Sequence, residues 1–315
     1  MIIYFIFYMT ACILKGIGPR EHHPSEIWEV VFMKIGFIGA GKVGFSLGKY
    51  FCEHGLNVIG YYSRNPQSAL QAAEFTSTMC FRDIKSIVEA SDTLFLTVPD
   101  GTIQELWDYI DKLSIKNKII CHCSGSLSSS VFSNIDNHDA YGYSIHPLLG
   151  ISDKLNSYKE LSNAFFTLEG SQGRLQEMQK LIKGLGNLEQ VISPENKAIY
   201  HSAAVFSSNL MVALAQTSID LLTNCGFDEQ NAGLALYPLM LGNMKNIVRQ
   251  GTVGALTGPV ERCDIETVTR NLSCLDGRDK QLYKLLSEKL INIAKIKNPN
   301  CSYSQLERMI VEDNE

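Results

Sequence analysis

Three glycines with the spacing of a phosphate-binding turn lie near the beginning of the chain. They belong to the run Gly39-Ala40-Gly41-Lys42-Val43-Gly44, which follows a short apolar run and precedes a helical pattern. The first glycine permits a tight turn, the second lets a pyrophosphate approach the backbone, and the third lets the helix pack closely on the strand. The N–H groups and dipole at the helix N-terminus attract the phosphates. These six residues therefore predict dinucleotide binding, and a glycine-rich turn without a ligand is the alternative.

The end of the next apolar run bears on which dinucleotide binds. An acidic residue is expected about 20 positions after the glycines where the ribose 2′-hydroxyl is held. This chain instead reads Tyr62-Ser63-Arg64-Asn65, without a carboxylate. Ser63 and Arg64 could hold a 2′-phosphate, the arginine through a bidentate fork. We therefore predict NADP(H) in preference to NAD(H), with a solvated loop arginine as the alternative.

Further polar residues follow other apolar runs, where the carboxyl ends of parallel strands meet and ligands bind. Val98, Pro99 and Asp100 end one run, and we expect Pro99 to shape a loop against the nicotinamide half of the cofactor. Ser124 follows the next run and offers a hydroxyl to a substrate. His146 lies in Ser144-Ile-His-Pro147, a predicted turn, and is either a site residue or a turn histidine.

A long helical pattern opens at Pro194-Glu195 and runs to about Asn224. Lys197, His201 and Ser208 share one stripe of this helix, with Ser202 and Asn209 on the neighbouring stripe, so that both could line one cleft. Histidine titrates near physiological pH, and His201 is therefore the best candidate for a general acid or base. The alternative is a histidine satisfied within a helical dimer interface.

A polar loop, residues 255–264, interrupts the helical patterns that follow. Asp264 is a natural N-cap, and Thr257 and Arg262 could face a substrate carboxylate or the cofactor. A purely structural turn between two helices is the alternative.

The elements that must position these residues alternate between apolar runs and helical stretches from Lys34 to about residue 192. Such alternation predicts an α/β fold with a doubly wound parallel Rossmann sheet. Residues 193–315 show only helical patterns and predict an all-helical second domain for substrate binding and dimerisation. The predicted strands are 34–39, 57–62, 93–98, 118–123 and 164–168, and the predicted helices are 44–51, 67–75, 194–224, 228–249, 265–275, 279–296 and 302–312.

Composition narrows the class of protein further. The formal net charge of −5 gives no basic field that would gather nucleic acid. Nine cysteines are scattered without a CxxC pair, which favours reduced thiols in the cytoplasm over a disulfide framework. No metal site is predicted, because Cys121 and Cys123 would face away from His122 on a strand.

Residues 1–32 form a leader that begins with a strongly apolar run. Its first fourteen residues are too short to span a bilayer and lack a basic n-region. We expect Met33 to be the true start and the leader to be a gene-model artefact, with a membrane anchor as the alternative.

Taken together, these motifs resemble a bacterial family of uncharacterised two-domain proteins with a Rossmann-like domain and a C-terminal helical domain of unknown function. This family is related to pyrroline-5-carboxylate reductase, ketopantoate reductase and the β-hydroxyacid dehydrogenases. The matching motifs are Gly39–Gly44, Val98–Asp100, Ser124-Gly125, His146–Leu148, Tyr200–Ala204 and Ala255–Pro259 with Arg262 and Asp264.

The resemblance implies an NAD(P)-dependent oxidoreductase and, by analogy, a homodimer. Two departures stand out. β-Hydroxyacid dehydrogenases carry a catalytic lysine four residues before an asparagine, whereas Val205 lies four residues before Asn209 here. Cys263 replaces a glycine that is common before the last aspartate.

We therefore expect a reductase that passes hydride between NADP(H) and a small carbonyl, imine or hydroxy compound. His201 would move the proton, and Asn209, Ser124 and Thr257 would orient the substrate. No nucleic acid or membrane partner is expected. The alternatives are a dinucleotide-binding sensor without turnover and, third, a structural dimer with a vestigial site.

Overall fold

The computed structural model describes residues 33–311, so the predicted leader lies outside the described residues. The described residues form two compact units, which divide between Ser208 and Asn209. The expected domain boundary between residues 192 and 193 remains a prediction.

The first unit contains an eight-stranded sheet with the order β3-β2-β1-β4-β5-β6-β7-β8. The order reverses between β1 and β4, which is the position where ligands bind in open α/β sheets. The predicted α/β fold with a doubly wound Rossmann sheet is confirmed. The strands are β1 (Ile35–Ile38), β2 (Val58–Tyr62), β3 (Met79–Cys80), β4 (Thr93–Leu96), β5 (Ile119–His122), β6 (Tyr141–Leu148), β7 (Phe165–Gly170) and β8 (Glu189–Val191).

Helices cover both faces of this sheet. Phe37 and Phe95 face the apolar layer formed with α1, α2 and α5, and Ile38 and Leu96 face the layer formed with α3 and α4. Burial of both faces explains why β1 and β4 read as continuous apolar runs rather than as alternating ones. The helices of the first unit are α1 (Lys42–Glu53), α2 (Pro66–Thr76), α3 (Ile84–Ala90), α4 (Asp100–Ile110), α5 (Leu175–Gly184) and α6 (Lys197–Phe206).

Two expectations about the sheet are wrong. Strand β7 pairs antiparallel with β6, although all strands were expected to run parallel. The sequence from Ser144 to Pro147, expected to form a turn, lies inside β6. The polar residues of this segment suggested a turn. In the structure they form one face of β6, with Ser144 and His146, and the other face carries Tyr143 and Ile145. Alternation of this kind is a strand signal, but here the polar face is also buried or half-buried.

The second unit is helical in its described residues, as predicted. Its helices are α7 (Asn209–Asn224), α8 (Glu229–Ala255), α9 (Ile265–Ser273), α10 (Gly277–Lys297) and α11 (Ser304–Val311). An apolar cluster from α9, α10 and α11 forms its core. Asp264 caps α9, because its Oδ1 accepts a hydrogen bond from the Thr267 N–H at 3.0 Å, and this predicted cap is confirmed.

The predicted long helix from Pro194 to Asn224 is interrupted. A 3₁₀ turn spans Pro194–Asn196, α6 ends at Phe206, and a turn at residues 207–208 precedes α7. Ser208, expected to continue the stripe of Lys197 and His201, therefore lies beyond the end of α6. The Ser207 and Ser208 hydroxyls donate to carbonyls four residues earlier, a bonding pattern that bends helices.

Candidate functional site

The glycine loop leaves β1 in a conformation that only glycine adopts without strain. Gly39 has φ +111°, and its N–H donates to the Tyr62 carbonyl at 2.8 Å, which joins the ends of β1 and β2. A Cβ at Gly39 would lie 2.5 Å from the carbonyl oxygen of Thr97. Gly39 therefore permits the tight turn that the sequence predicted.

Gly41 is not required by the backbone conformation, unlike Gly39. It is the N-cap of α1 with φ −77°, a conformation open to any residue, and a Cβ there would meet no protein atom within 4 Å. No side chain caps α1, so its first-turn N–H groups lack a side-chain partner. A free path to uncapped N–H groups at a helix N-terminus is what a pyrophosphate needs. These residues therefore fit a dinucleotide.

Gly44 packs α1 against the sheet. A Cβ at this position would lie 2.3 Å from both the Gly39 carbonyl oxygen and the Oγ1 of Thr97. Thr97 also donates a hydrogen bond from Oγ1 to the Gly39 carbonyl at 2.7 Å. Thr97 is not among the predicted site residues, although a polar residue just after a buried strand is a usable signal. Ala40 is buried beside this contact, Val43 is half-buried and Lys42 is exposed.

Ser63 and Arg64 follow β2, next to the glycine loop that Tyr62 holds. Arg64 is exposed, and no ion pair involves it within residues 33–311. Asn65 caps α2 by accepting from the Gln67 N–H at 3.0 Å, which fixes the point where the chain turns after Arg64. A guanidinium without an ion-pair partner at this edge can bind a phosphate.

Asp100 connects the ends of β4 and β5. Pro99 is the N-cap of α4, Val98 packs against the apolar layer below, and Asp100 is the first residue of the helix. The Asp100 Oδ2 accepts hydrogen bonds from Ser124 Oγ at 2.7 Å and from Ser126 Oγ at 2.8 Å.

The hydroxyl of Ser124 is engaged within its own loop. Besides donating to Asp100, its Oγ accepts from the N–H groups of Ser126 at 3.1 Å and Leu127 at 2.9 Å. The side chain is buried. Ser124 thus orders the loop that carries Gly125, and its expected direct contact with a substrate remains a prediction.

His122 supports the same loop from beneath. Its Nδ1 accepts from the Ser124 N–H at 3.2 Å, so the ring hydrogen lies on Nε2, which faces the Ser128 carbonyl at 3.2 Å. Burial lowers the pKa of His122 to about 4. The ring is therefore neutral at physiological pH and acts as a fixed acceptor for the loop.

Two histidines meet across Gly125. The Nε2 of His146, on β6, and the Nδ1 of His201, on α6, each lie 2.9 Å from where a Cβ would stand at Gly125. The Nδ1 of His146 hydrogen-bonds Tyr200 Oη at 2.6 Å. The buried Nδ1 of His201 has no hydrogen-bond partner in the described part of the chain. Gly125 therefore lets two imidazoles converge, and a buried nitrogen of one of them lacks a hydrogen-bond partner in the described chain.

Lys197 anchors this helix to the sheet. Its side chain is 2% exposed, and its Nζ donates to Ser144 Oγ at 2.6 Å. Burial lowers the pKa of Lys197, and the Glu169 carboxylate partly opposes this effect. Glu169 is buried and accepts from the N–H and the Oγ of Ser129, both at 2.7 Å. The sheet register places His122, Ser144 and Glu169 side by side, so polar groups collect at this edge.

The first unit thus brings Ser124 and His201 together around Gly125. Asn209 and Thr257, the other two expected site residues, belong to the second unit and stay predictions. Tyr200 and Lys197 complete the cluster, and the sequence offered a signal for both, since Tyr200 and His201 follow Lys197 by three and four residues on one helix.

Comparisons with known proteins agree with this architecture. Residues 34–124 match the family described as NADP oxidoreductase, coenzyme F420-dependent, and residues 164–290 match a domain of unknown function, DUF2520. Solved structures also share the fold. The Thermotoga maritima protein TM1727 is 27% identical with a TM-score of 0.67, over 84% of this chain and 99% of that one. The Aspergillus terreus reductive aminase, solved with NADPH and ethyl-5-oxohexanoate, is 12% identical with a TM-score of 0.56, over 90% and 94%.

A curated relative matches only part of the chain. The Bacillus subtilis protein named "Putative 6-phosphogluconate dehydrogenase YqeC" is 28% identical over 95 residues, which span 30% of this chain and about a third (32%) of that protein. The fold and the family match over residues 34–124 support the class of NAD(P)-binding oxidoreductases. The chain joins a domain of the NADP oxidoreductase family to a DUF2520 domain, and the family resemblance seen in the sequence is confirmed.

Proposed function

We propose that this protein is an NADP(H)-dependent reductase that acts on a small carbonyl, imine or hydroxy compound. The observation that carries the proposal is the pairing, in one unit, of an uncapped glycine loop with a two-histidine cluster. The loop lies at the end of β1, and His146 and His201 converge over Gly125, just beyond β5. Ligand-binding groups at the carboxyl ends of parallel strands in one sheet are the usual arrangement of a dinucleotide oxidoreductase.

Each group has a defined task in this proposal. Gly39 to Gly44 receive the pyrophosphate, Ser63 and Arg64 receive the 2′-phosphate, and Val98 to Asp100 border the nicotinamide half. The nicotinamide supplies the hydride when it is bound. His201 exchanges the proton as general acid or base, because its Nδ1 has no hydrogen-bond partner in the described chain. Ser124 holds the loop under the substrate, and Asn209 and Thr257 orient the substrate.

Calorimetric titration with NADPH, NADH and their oxidised forms tests the cofactor. We expect NADPH to bind more tightly than NADH. If no dinucleotide binds, the oxidoreductase proposal fails. Equal affinity for both would retain the oxidoreductase and remove the assigned role of Ser63 and Arg64.

His201→Gln separates an enzyme from a non-catalytic sensor. A screen of carbonyl and imine compounds with NADPH first identifies a turnover reaction. The variant should then lose about 100-fold or more in turnover, because general acid–base catalysis contributes about that much, with NADPH affinity nearly unchanged. A protein that binds NADPH and reduces no compound of the screen would instead be the sensor. Asn209→Ala and Thr257→Ala, measured in the same assay, test the two orienting residues through KM.

We also propose that the chain forms a homodimer through α7 and α8. Many large apolar side chains of these helices are exposed in the single chain, including Val212 (71%), Leu239 (64%) and Val248 (84%). Exposed apolar surface of this extent marks a contact with another molecule. Multi-angle light scattering should give twice the chain mass.

A membrane is the competing occupant of this surface. Within residues 33–311, the segment Pro194–Asn224 is long and apolar enough to cross a bilayer by length and composition. A monomer that enters solution only with detergent would favour the membrane and overturn the dimer.

The cytoplasm is the proposed location, since all eight cysteines of the described residues are free thiols.

A further inference from the structure

The two histidines at Gly125 are close enough to hold a single atom between them. Each ring nitrogen lies 2.9 Å from the Cβ position of Gly125, so the nitrogens are no farther apart than twice this distance. One heteroatom with a hydrogen bond of ordinary length to each nitrogen closes such a gap. Both residues are half-buried, and the buried Nδ1 of His201 has no hydrogen-bond partner in the described chain.

Tyr200 determines which nitrogen of His146 carries hydrogen. The Tyr200 Oη lies 2.6 Å from the Nδ1 of His146. The Thr167 hydroxyl donates to the His146 carbonyl at 3.4 Å and also contacts Tyr200. We assign the phenol hydrogen to the 2.6 Å bond from Tyr200 Oη to the Nδ1 of His146. An imidazole that accepts at Nδ1 carries its hydrogen on Nε2, the nitrogen that faces Gly125.

The surroundings of His146 keep its ring uncharged. The charged and titratable groups that act on it are Lys197 and His201 of α6, Asp100 of α4 and His122 of β5. Burial has the largest effect, the positive charge of Lys197 adds to it, and Asp100 only partly opposes them, so the pKa of His146 falls to about 4. At neutral pH, His146 is thus a neutral hydrogen-bond donor aimed at the space beside His201.

We infer that His146 is a second catalytic residue, whose Nε2–H hydrogen-bonds the oxygen of a substrate C=O group, and that the site takes carbonyl compounds rather than iminium cations. This inference rests on the proposed function and narrows its substrate. A carbonyl oxygen has lone pairs for the Nε2–H of His146 and for the proton of His201. An iminium nitrogen has no lone pair and would be left facing a donor without an acceptor.

The reaction balances with the groups named. The carbonyl carbon accepts a hydride from NADPH, which leaves NADP⁺, and the C=O π electrons move to oxygen. The oxygen takes the proton of the His201 imidazolium, which becomes neutral, and the product is an alcohol. His146 keeps its proton throughout and stabilises the negative charge that develops on oxygen. Tyr200 is a positioning residue, because it acts only through His146.

Nitrogen-15 NMR of the histidine-labelled protein with NADP⁺ tests the assignment without any turnover. We expect His146 to be neutral at pH 7 and protonated at Nε2. In Tyr200→Phe, which removes only the hydroxyl, the Nδ1–H form of His146 should become populated. A cationic His146, or an unchanged tautomer in Tyr200→Phe, would overturn the inference even where NADP⁺ binds as proposed.

Kinetics of paired His146 variants test the chemistry. Gln places its amide N–H where Nε2–H stands, whereas Leu offers no donor. On ketones and aldehydes, His146→Leu should lose about 100-fold in kcat, and His146→Gln should stay within about tenfold of the unchanged protein. N-alkyl iminium salts serve as the comparison and should be reduced poorly by the unchanged protein. Preferential reduction of the iminium salts, or equal kcat for His146→Leu and the unchanged protein on carbonyls, would contradict the inference.

The two proposals fail separately. Absence of dinucleotide binding would overturn the proposed function. NADPH-dependent turnover with the same kcat in His146→Leu and the unchanged protein would overturn only the inference.

Discussion

The Nζ of Lys197 donates a hydrogen bond to the Oγ of Ser144 at 2.6 Å, deep beneath the candidate site. Lys197 begins α6, which carries Tyr200 and His201, and Ser144 belongs to β6, which carries His146. This contact therefore fixes the helix with two site residues against the strand that carries the third. The Ser144 hydroxyl itself faces the Ser124 carbonyl at 3.3 Å.

Removing the acceptor of this pair should lower the free energy of unfolding more than removing the charged donor. Ser144→Ala leaves the buried ammonium without its acceptor and should lower the free energy of unfolding by about 2 kcal/mol. Lys197→Met removes the buried charge together with its desolvation cost and should cost less. The double variant should resemble Lys197→Met. Urea unfolding measures all three, and strictly additive losses would show that the contact contributes nothing to stability.

Stability should fall as the pH drops from 6.5 to about 4. The pKa of His122 is lowered from 6.5 to about 4 in the folded chain, so the unfolded chain binds more protons between these values. Stability from this group is full above pH 6.5 and is lost as the pH falls through this window, by at most about 3 kcal/mol. His146, with the same shift, acts in the same direction.

His122→Asn is the matched variant for this pH dependence. Its Oδ1 can replace Nδ1 as the acceptor for the Ser124 N–H, but the amide does not titrate. Its free energy of unfolding, measured by urea at pH 6.5 and 4.5, should change less with pH than that of the unchanged protein. Parallel profiles would assign the acid sensitivity to other groups.

Gly125→Ala should impair the site more than the fold. The new Cβ would stand 2.9 Å from the His146 and His201 nitrogens and would push the rings apart. We expect a loss of about 100-fold in turnover, comparable to loss of the proton-transfer group. Gly101→Ala is the control, because a Cβ at this exposed position in α4 meets no atom within 4 Å. Turnover of Gly125→Ala equal to that of the control would exclude a catalytic role for the gap.

Gly41 and Gly44 should respond differently to the same change. In Gly41→Ala the Cβ points into open space, so the melting temperature should hardly change, while dinucleotide affinity should drop about tenfold or more. In Gly44→Ala the Cβ clashes at 2.3 Å with the Gly39 carbonyl, so the fold itself should be destabilised. Calorimetric titration and thermal melting together distinguish the two. Unchanged affinity in Gly41→Ala would mean that no phosphate approaches this loop.

Arg64→Gln should weaken the binding of NADPH and leave the binding of NADH unchanged. Loss of a charge-assisted contact with the 2′-phosphate is worth about 1.4 kcal/mol or more, which is about tenfold in the dissociation constant. NADH, which lacks this phosphate, should bind as before. Arg278→Gln, at an exposed position of α10 in the second unit, is the control. An equal loss for NADPH and NADH would assign Arg64 to the fold or to the pyrophosphate instead.

The sequence by itself determined the fold class and the glycine loop. Buried parallel strands and helices have strong local signatures. The turn from β1 into α1 needs glycine at Gly39, where φ is +111°, and at Gly44, which packs against the carbonyl of Gly39. The N-cap at Asp264 was equally readable, because capping is a contact over three residues.

The tertiary structure alone decided the composition of the cluster around Gly125. His146 and Tyr200 are 54 positions apart in the chain, and Lys197 and Ser144 are 53 apart. Their pairing depends on the register of β6 and on where α6 meets it, which no local pattern encodes. The strand β6 was not predicted for the same reason. In the sequence Ser144 and His146 suggest a turn, because their hydrogen-bond partners, Lys197 and Tyr200, lie 53 and 54 positions later. Buried polar residues are stable only with partners, and the fold is what brings distant partners together.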